Sequence, residues 1–401
     1  MREILRQLSD RELSTLNIVH KNDIITKKDL QGLTGMTLTT LNRVMKSLED
    51  KKLITEVGTA ESTGGRKAVE YSVIQRGIYV IGIDISRTYV RIIVSNLKMD
   101  ILKKEEFFMN DSFSPEKTVQ KIVSLIEQKL LDLSIDKSEI LGIGIGTVGP
   151  LDRQKGVLLK PKNFFNDLWN NVPLKDMIEE KLSIPCFIDN GANNAVLAEY
   201  LFGMGRKLEG IVYINCGIGI RSAAITSGTI IRAMNNSEDA FANMIVDLND
   251  KKFICGSIGS VESYSSIEAV VKRFNLKDEK RSCKQEKFKE EEYKKILELA
   301  ASGKDELAFE IVSKGAYTLG IGLANLVRLL NPQLVILYGP LIKNYESYYE
   351  KCVDAFRKNN CTNNKVVFSK GGKFKENAIA VGSALMVIEN YLGNNIHIGG
   401  K

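Results

Sequence analysis

The sequence predicts an α/β protein in two parts: a helical head over residues 1 to 75 that ends in a β-hairpin, and a layered α/β body over the remainder. Three observations predict it. Apolar residues recur at spacings of three and four between Arg11 and Leu53. Two short runs, Leu53 to Val57 and Val69 to Val73, suit paired strands. Beyond Arg76-Gly77, apolar strand-like runs alternate with helical stretches. A chain of 401 residues, 44% apolar, is long enough for two or three domains, each with its own core.

Several classes are excluded before any motif is read. No run of eighteen apolar residues occurs, and the opening MREILRQLSDREL is charged and amphipathic without the apolar centre of a signal peptide. A cytoplasmic protein with no membrane contact is expected. The six cysteines (Cys186, Cys216, Cys255, Cys283, Cys352 and Cys361) are scattered with no CxxC pair, which suits reduced thiols packed as small apolar residues. With His20 and His397 the only histidines, a hydrolase triad or a multi-histidine metal centre lacks its raw material. Lys and Arg number 56 against 49 Asp and Glu, a net charge of +7 compatible with one basic face.

In the head, Leu13, Leu16, Ile18 and Val19 mark a first helix. Thr26 is an N-cap for a second, which runs through Asp29 and Leu30 to Leu33 and stops at Gly35. Thr37 caps a third, in which Leu41, Val44, Met45 and Leu48 share a buried face and Thr39, Thr40, Asn42, Arg43 and Lys46 face outward. The hairpin that follows carries Ser62-Thr63-Gly64-Gly65-Arg66-Lys67, a basic tip. Helix, helix, turn, helix, basic-tipped hairpin is the order of a winged helix-turn-helix, and double-stranded DNA is the partner it implies. The reading segment is Thr37 to Lys46. Asn42 and Arg43 would hydrogen-bond base edges in a major groove, with Thr39, Thr40 and Lys46 reaching bases or phosphates. Gly65 lets the wing backbone approach closely, and Arg66 and Lys67 then sit at a phosphate or in the minor groove. Residues 1 to 75 carry twelve Lys and Arg against ten Asp and Glu, a thin surplus for one copy. A homodimer or dimer of dimers on palindromic operator DNA is therefore expected.

In the body, Ile78 to Ile85 and Tyr89 to Ser95 are strands joined through Ser86-Arg87-Thr88, followed by strands at Ile140 to Ile145, Cys186 to Ile188, Ile211 to Asn215 and Leu334 to Leu337. Glycine-rich turns are read at Gly142-Ile143-Gly144-Ile145-Gly146, Gly217-Ile218-Gly219, Gly339-Pro340 and Gly382, where backbone amides can approach a phosphate or polar ligand. Lys272 to Glu298 is charge-dense and reads as solvated helices with their connection. Gly315 to Leu330 has helical spacing with embedded glycines, a sign of close helix packing. No internal repeat and no low-complexity linker is visible, so the join near residues 74 to 78 is short and couples body movement to the head.

Several segments carry a wider resemblance. They are the Gly64-Gly65-Arg66 wing, Ile81-Gly82-Ile83-Asp84-Ile85, Gly144-Ile145-Gly146-Thr147-Val148-Gly149-Pro150, Asn163 with Trp169, Asp189-Asn190-Gly191-Ala192-Asn193, Gly217-Ile218-Gly219 and Gly259-Ser260-Val261-Glu262. Together they make the chain resemble the ROK family of repressors and sugar kinases over nearly its whole length, the repressor branch best. The resemblance implies a two-lobed body of the sugar-kinase, Hsp70 and actin type (ribonuclease H-like) with a ligand cleft between the lobes. The first lobe is expected over 76–195, completed by about 381–401, and the second, which dimerises, over 196–380. Family kinases phosphorylate sugars in the cleft with ATP and magnesium; family repressors sense an effector there.

Departures from the family pattern refine the expectation. Gly191 stands where family kinases have the Asp that takes the sugar-hydroxyl proton, and Asp189 is a poor substitute. Ser86 and Arg87 replace the paired glycines after Asp84, while Ile218 and Arg221 replace a Thr and a glycine of the second loop, so no nucleotide cofactor is expected. The places of the family's zinc ligands read Asn243, Phe253, Cys255 and Ser260, too few for a tetrahedral site. Asn163, Asn190 and Glu262 match positions that bind sugar hydroxyls, whereas Ala240 and Asn243 stand where family members have Glu and His. The expected protein is a DNA-binding repressor of carbohydrate-related genes, not an enzyme, with a carbohydrate-like effector. An ATP-dependent sugar kinase with an added DNA-binding head and an effector-free dimerisation scaffold are the alternatives.

Overall fold

Hydrogen-bonded caps set the boundaries of the head. The computed structural model describes residues 2–59, 68–164, 166–232, 240–250, 252, 254–277, 290–361 and 365–392. The head comprises α1 (Arg2–Arg6), α2 (Asp10–Asn22), β1 (Ile25–Thr26), α3 (Lys27–Thr34), α4 (Leu38–Asp50), β2 (Ile54–Thr59) and β3 (Val69–Val73), with an antiparallel sheet in the order β1-β3-β2. Ser9, Thr26 and Thr37 each accept a backbone N–H at a helix start, and Gly35, at φ +65°, ends α3. Leu41, Val44, Met45 and Leu48 are all buried, as their spacing predicts. The helix α1 and the two-residue β1 are too short to leave a periodic signal.

The sequence Ser9-Asp10-Arg11-Glu12 forms a reciprocal capping box on α2. Glu12 also ties α2 to α4, accepting Ser47 Oγ at 2.6 Å and the Lys51 ammonium. Burial alone would raise its carboxyl, but the donors Lys51, Ser47 and Ser9 outweigh it and hold the group at about 2. A depressed carboxylate contributes stability that is present above its unfolded value near 4.5 and is lost as pH falls through about 2. Glu12→Gln is therefore expected to cost the head about 1–3 kcal/mol at pH 7. The cost should shrink below pH 4.5 in thermal unfolding followed by circular dichroism.

The body is built on two five-stranded sheets. The first draws on β4 (Tyr79–Ile85), β5 (Tyr89–Asn96), β6 (Ile101–Phe108), α5 (Pro115–Leu133), β7 (Ile140–Thr147), a small β8 (Leu151–Asp152) and β9 (Val157–Leu158) ladder, α6 (Leu174–Leu182), β10 (Cys186–Asn190) and α7 (Gly191–Phe202). The second draws on β11 (Gly210–Cys216), β12 (Ile220–Thr226), β13 (Thr229–Ile231), α8 (Glu262–Ser265), α9 (Ile267–Lys277), α10 (Glu290–Ser302), α11 (Glu306–Leu330), β14 (Leu334–Tyr338), α12 (Pro340–Asn344), α13 (Glu346–Asn359) and β15 (Val367–Lys370). The chain then returns through α14 (Ala378–Leu392) to the first sheet. Among the described residues no helix is long and apolar enough to cross a membrane.

The two sheets have the same topology. The first reads β6-β5-β4-β7-β10 and the second β13-β12-β11-β14-β15, in each case an antiparallel meander continued by two parallel strands. The sequence shows no repeat, so the duplication survives in strand order alone.

Two of the expected glycine turns are not turns. Gly142 to Gly146 lies inside β7 and Gly382 inside α14. A Cβ on Gly144 would stand 1.8 Å from Ser383 O, one on Gly82 1.9 Å from Ala380 O, and one on Gly382 1.6 Å from Asn194 O. Side-chain-free strand faces thus let α14 lie directly on β4 and β7 and against α7. The expected packing of Gly315 to Leu330 holds in α11, where Gly320 lies against Cys352 of α13.

The head packs on this central pair of helices. Leu5, Leu8, Leu16 and Val19 share one apolar core with Val80, Leu97, Ala198, Leu385 and Leu392. Arg2 donates from Nε to Ile140 O at 3.1 Å, Arg206 to Lys21 O at 2.9 Å, and Lys21 Nζ meets Glu389 of α14 at 3.1 Å. His20 is buried edge-on against Phe202, ring centroids 5.1 Å apart. Burial first, then the charge of Lys21, pushes its imidazole down to about 3, so it packs as a neutral ring.

Candidate nucleic-acid interface and interlobe cleft

The amphipathic α4 points its polar face away from the head. Thr37, Thr39, Asn42, Arg43 and Lys46 are exposed and Thr40 half-buried. Thr37 and Thr40 are occupied with each other: Thr37 Oγ1 accepts Thr40 N at 3.3 Å and donates to Thr40 Oγ1 at 2.9 Å. Among the described residues Thr39, Asn42, Arg43 and Lys46 make no side-chain hydrogen bond or ion pair. A face of uncommitted donors over a fully packed apolar face is what groove reading requires. Gly65, Arg66 and Lys67 lie outside the described residues; β2 and β3, which lead to and from them, pair from Ile54↔Val73 to Thr59↔Val69. One feature of α4 was not anticipated: its first residue, Leu38, is 53% exposed.

The cleft opens between the carboxyl ends of β4 and β11, with a cavity of 330 Å³. Asp84, at the end of β4, accepts Tyr89 Oη at 2.9 Å and faces the Arg91 guanidinium at 3.8 Å. Burial pushes the Asp84 carboxyl up to about 6 against the opposing pull of Arg91, Tyr89 and Arg221. Ser86, Arg87, Ile218 and Arg221 all line the cavity, as do Gly217 and Gly219. Arg87 is anchored to the wall, donating from Nε to Lys162 O at 2.7 Å.

The three expected sugar-binding residues adjoin the cavity rather than line it. Asn190 Oδ1 accepts Ala192 N at 2.9 Å and caps α7, whereas its Nδ2 is buried without a partner. Asn163, at φ +63°, donates to Glu268 Oε2 at 2.8 Å, bridging the two lobes. Glu262 Oε1 accepts Ile220 N at 3.1 Å and lies under Gly219 and Gly256. Their neighbours Gly191, Ile267 and Gly219 form the cavity wall.

Gly191, at the start of α7, brings no side chain to the cavity wall. Asp189, the adjacent acid, has both oxygens bonded. Oδ1 accepts Asn190 N at 2.7 Å, Asn193 Nδ2 at 3.1 Å and Arg232 Nη1 at 3.1 Å. Oδ2 accepts Arg232 Nη2 at 2.7 Å and faces Arg153 at 3.6 Å. Arg232 reaches Asp189 from just beyond β13, so this pair and Asn163–Glu268 both cross between the lobes. Sequence patterning gave no sign of either. At the positions compared with zinc ligands, Asn243 Oδ1 accepts Ser257 Oγ at 3.1 Å, Ser260 is buried, and Cys255 Sγ lies 3.6 Å from Ser266 Oγ. Burial pushes the Cys255 thiol up to about 12. Phe253 is outside the described residues, among which no three His, Cys, Asp or Glu gather as metal ligands.

This architecture has close counterparts. A family profile described as ROK family matches residues 80–390, and one described as winged helix-turn-helix DNA-binding matches residues 8–55. A xylose repressor of Caldicellulosiruptor bescii is 28% identical over 397 residues, 97% of each chain. A glucokinase of Thermotoga maritima is 27% identical over 285 residues, 69% of this chain and 87% of its own. Among solved structures, a transcriptional regulator described as a homologue of the E. coli MLC protein superposes with a TM-score of 0.74 over 95% of this chain and 97% of its own, at 20% identity. The fold is thus a winged helix-turn-helix joined to a sugar-kinase-like α/β body.

Proposed function

The chain belongs to the ROK family, and from that premise we propose that it is a DNA-binding repressor of sugar-related genes whose interlobe cleft senses a carbohydrate-like effector. The observation that carries this reading is the uncommitted Thr39–Asn42–Arg43–Lys46 face of α4 on a head packed against α14, whose other end meets the cleft at Ile379. Coverage supports the same choice: the repressor relative spans 97% of the chain, the kinase relative 69%. Gly191, with Asp189 bonded on both oxygens, argues against phosphoryl transfer, because the sugar hydroxyl has no proton acceptor. The orphan Asn190 Nδ2 supports a hydroxyl-bearing ligand, since a buried donor left unpaired costs about 1–3 kcal/mol.

Effector binding that alters lobe closure would reach the head along α14. This helix has no slack against the sheet, because Gly82, Gly144 and Gly382 bring backbone against backbone. Xylose heads the candidate effectors, since a relative that matches 97% of the chain is named for it. The test is footprinting on genomic DNA joined to sedimentation of the bound complex. Discrete palindromic sites beside sugar-utilisation genes, each holding two chains, are expected. Uniform coverage without preferred sites, or one chain per site, contradicts the proposal.

A further inference from the structure

One apolar side chain departs from the pattern of α4. Leu38, Leu41 and Met45 stand at i, i+3 and i+7, a single stripe by spacing. Leu41 and Met45 are fully buried, yet Leu38 is 53% exposed, because the core of the head ends one turn short of it. Leu38 is the first residue of α4, fixed in place by the Thr37 cap. Helical Cα–Cβ bonds tilt toward the amino terminus, so its side chain leads the helix. Asn42 lies one turn away (i, i+4) and Thr39 is next in sequence, both exposed and uncommitted. The first turn of α4 carries no acid, whereas α2 has Asp10 and Glu12 there and α3 has Asp29. The tip of α4 is therefore free of the charge that phosphates would repel.

We infer that Leu38 is a specificity residue of the DNA interface, covering the C5-methyl of one thymine in each half-site. The inference rests on α4 reading DNA, as proposed above, and adds a base to what it reads. Asn42, Arg43 and the threonines read by hydrogen bonding, which does not register a methyl. The thymine methyl is the apolar mark on the major-groove edges of the bases, and an apolar side chain is what distinguishes it. On a helix, Cβ atoms at i and i+4 are about 6 Å apart, and base pairs rise by about 3.4 Å. The thymine accordingly lies within two base pairs of the base that Asn42 contacts.

The test uses the full chain and its most strongly protected genomic site. Each thymine is replaced by deoxyuridine, which removes the methyl and keeps the base pair, at matching positions of both half-sites. In the parent, one such replacement should raise Kd about tenfold, as two lost methyl contacts would, and the others less than twofold. Leu38→Ala should weaken binding to the unmodified site by a similar factor and erase the penalty at that thymine alone. Leu38→Met, which keeps an apolar side chain of similar reach, should restore the penalty and guards against a folding defect in Leu38→Ala. A deoxyuridine penalty that persists in Leu38→Ala reports DNA shape and overturns the inference, as does a site where no thymine methyl matters. A change in the sedimentation of free Leu38→Ala, with the penalty intact, would assign Leu38 to a contact between copies instead. In all three cases sequence-selective binding leaves the repressor reading standing; absence of any preferred site overturns both.

Discussion

Arg43→Ala lowers affinity for the most strongly protected genomic site by tenfold to a hundredfold, about 1–3 kcal/mol, and flattens the preference at one base pair of each half-site. The expected loss lies in recognition rather than folding. Arg43 is exposed and bonds nothing in the head, while Leu41, Val44, Met45 and Leu48 on the opposite face of α4 keep their packing. Unfolding temperature should therefore stay within a degree or two of the parent. Competition binding against sites altered one base pair at a time reads the difference. Should all sequences lose affinity equally, Arg43 contacts phosphate, and the reading role passes to Asn42 and Thr39.

Lys21→Met costs more than Glu389→Gln, although each removes one partner of the same ion pair. Glu389 has no exposed side-chain surface, and its Oε1 has no partner, whereas Lys21 is 21% exposed. Without its lysine the carboxylate stays buried and uncompensated, at a cost of about 2–4 kcal/mol. Without the carboxylate, the lysine can turn to water. Burial raises the Glu389 carboxyl above its usual value and Lys21 opposes the shift. Removing Lys21 lets it rise further. A raised acid contributes stability that is fully present below its unfolded value near 4.5 and is lost as pH climbs through the folded value. The Lys21→Met penalty should accordingly be small near pH 4.5 and grow toward pH 8, whereas the Glu389→Gln penalty should shrink as pH rises through the folded value, because the parent then carries the buried charge. Thermal melts of both variants across that range settle the order.

The head was legible because its signals are local. Ser9 with Glu12, Thr26 and Thr37 each announce a helix within four residues, and α4 shows its buried face by spacing alone. The strands of the body were legible for the same reason. Glycine was misread where its neighbours form strand or helix. In Gly142-Ile143-Gly144-Ile145-Gly146 the period of two marks a strand, and the glycines make one face bare for α14. The repeated sheet topology left no trace in sequence because strand order constrains burial, which many apolar residues satisfy. The cleft was legible only in part. Gly191 and Arg221 could be located, but Asn163–Glu268 and Asp189–Arg232 join residues 105 and 43 positions apart, and no periodicity encodes such pairings. Docking of the head on α14 was likewise invisible. Lys21 and Glu389 are 368 positions apart, and only the fold brings them together.

The central claim is that one molecule reads DNA through α4 and hears its cleft through α14. The measurement that tests it most directly is the affinity of the full chain for its best genomic site, with and without the sugar that most raises its Tm. It is made in the parent protein and in Lys21→Met at pH 7.5. The account predicts a ligand effect of fivefold or more on operator affinity in the parent, within the usual range of allosteric coupling. In Lys21→Met, with operator binding itself retained, the effect should be less than twofold. An equal ligand effect in both proteins, or no effect in either, would contradict it.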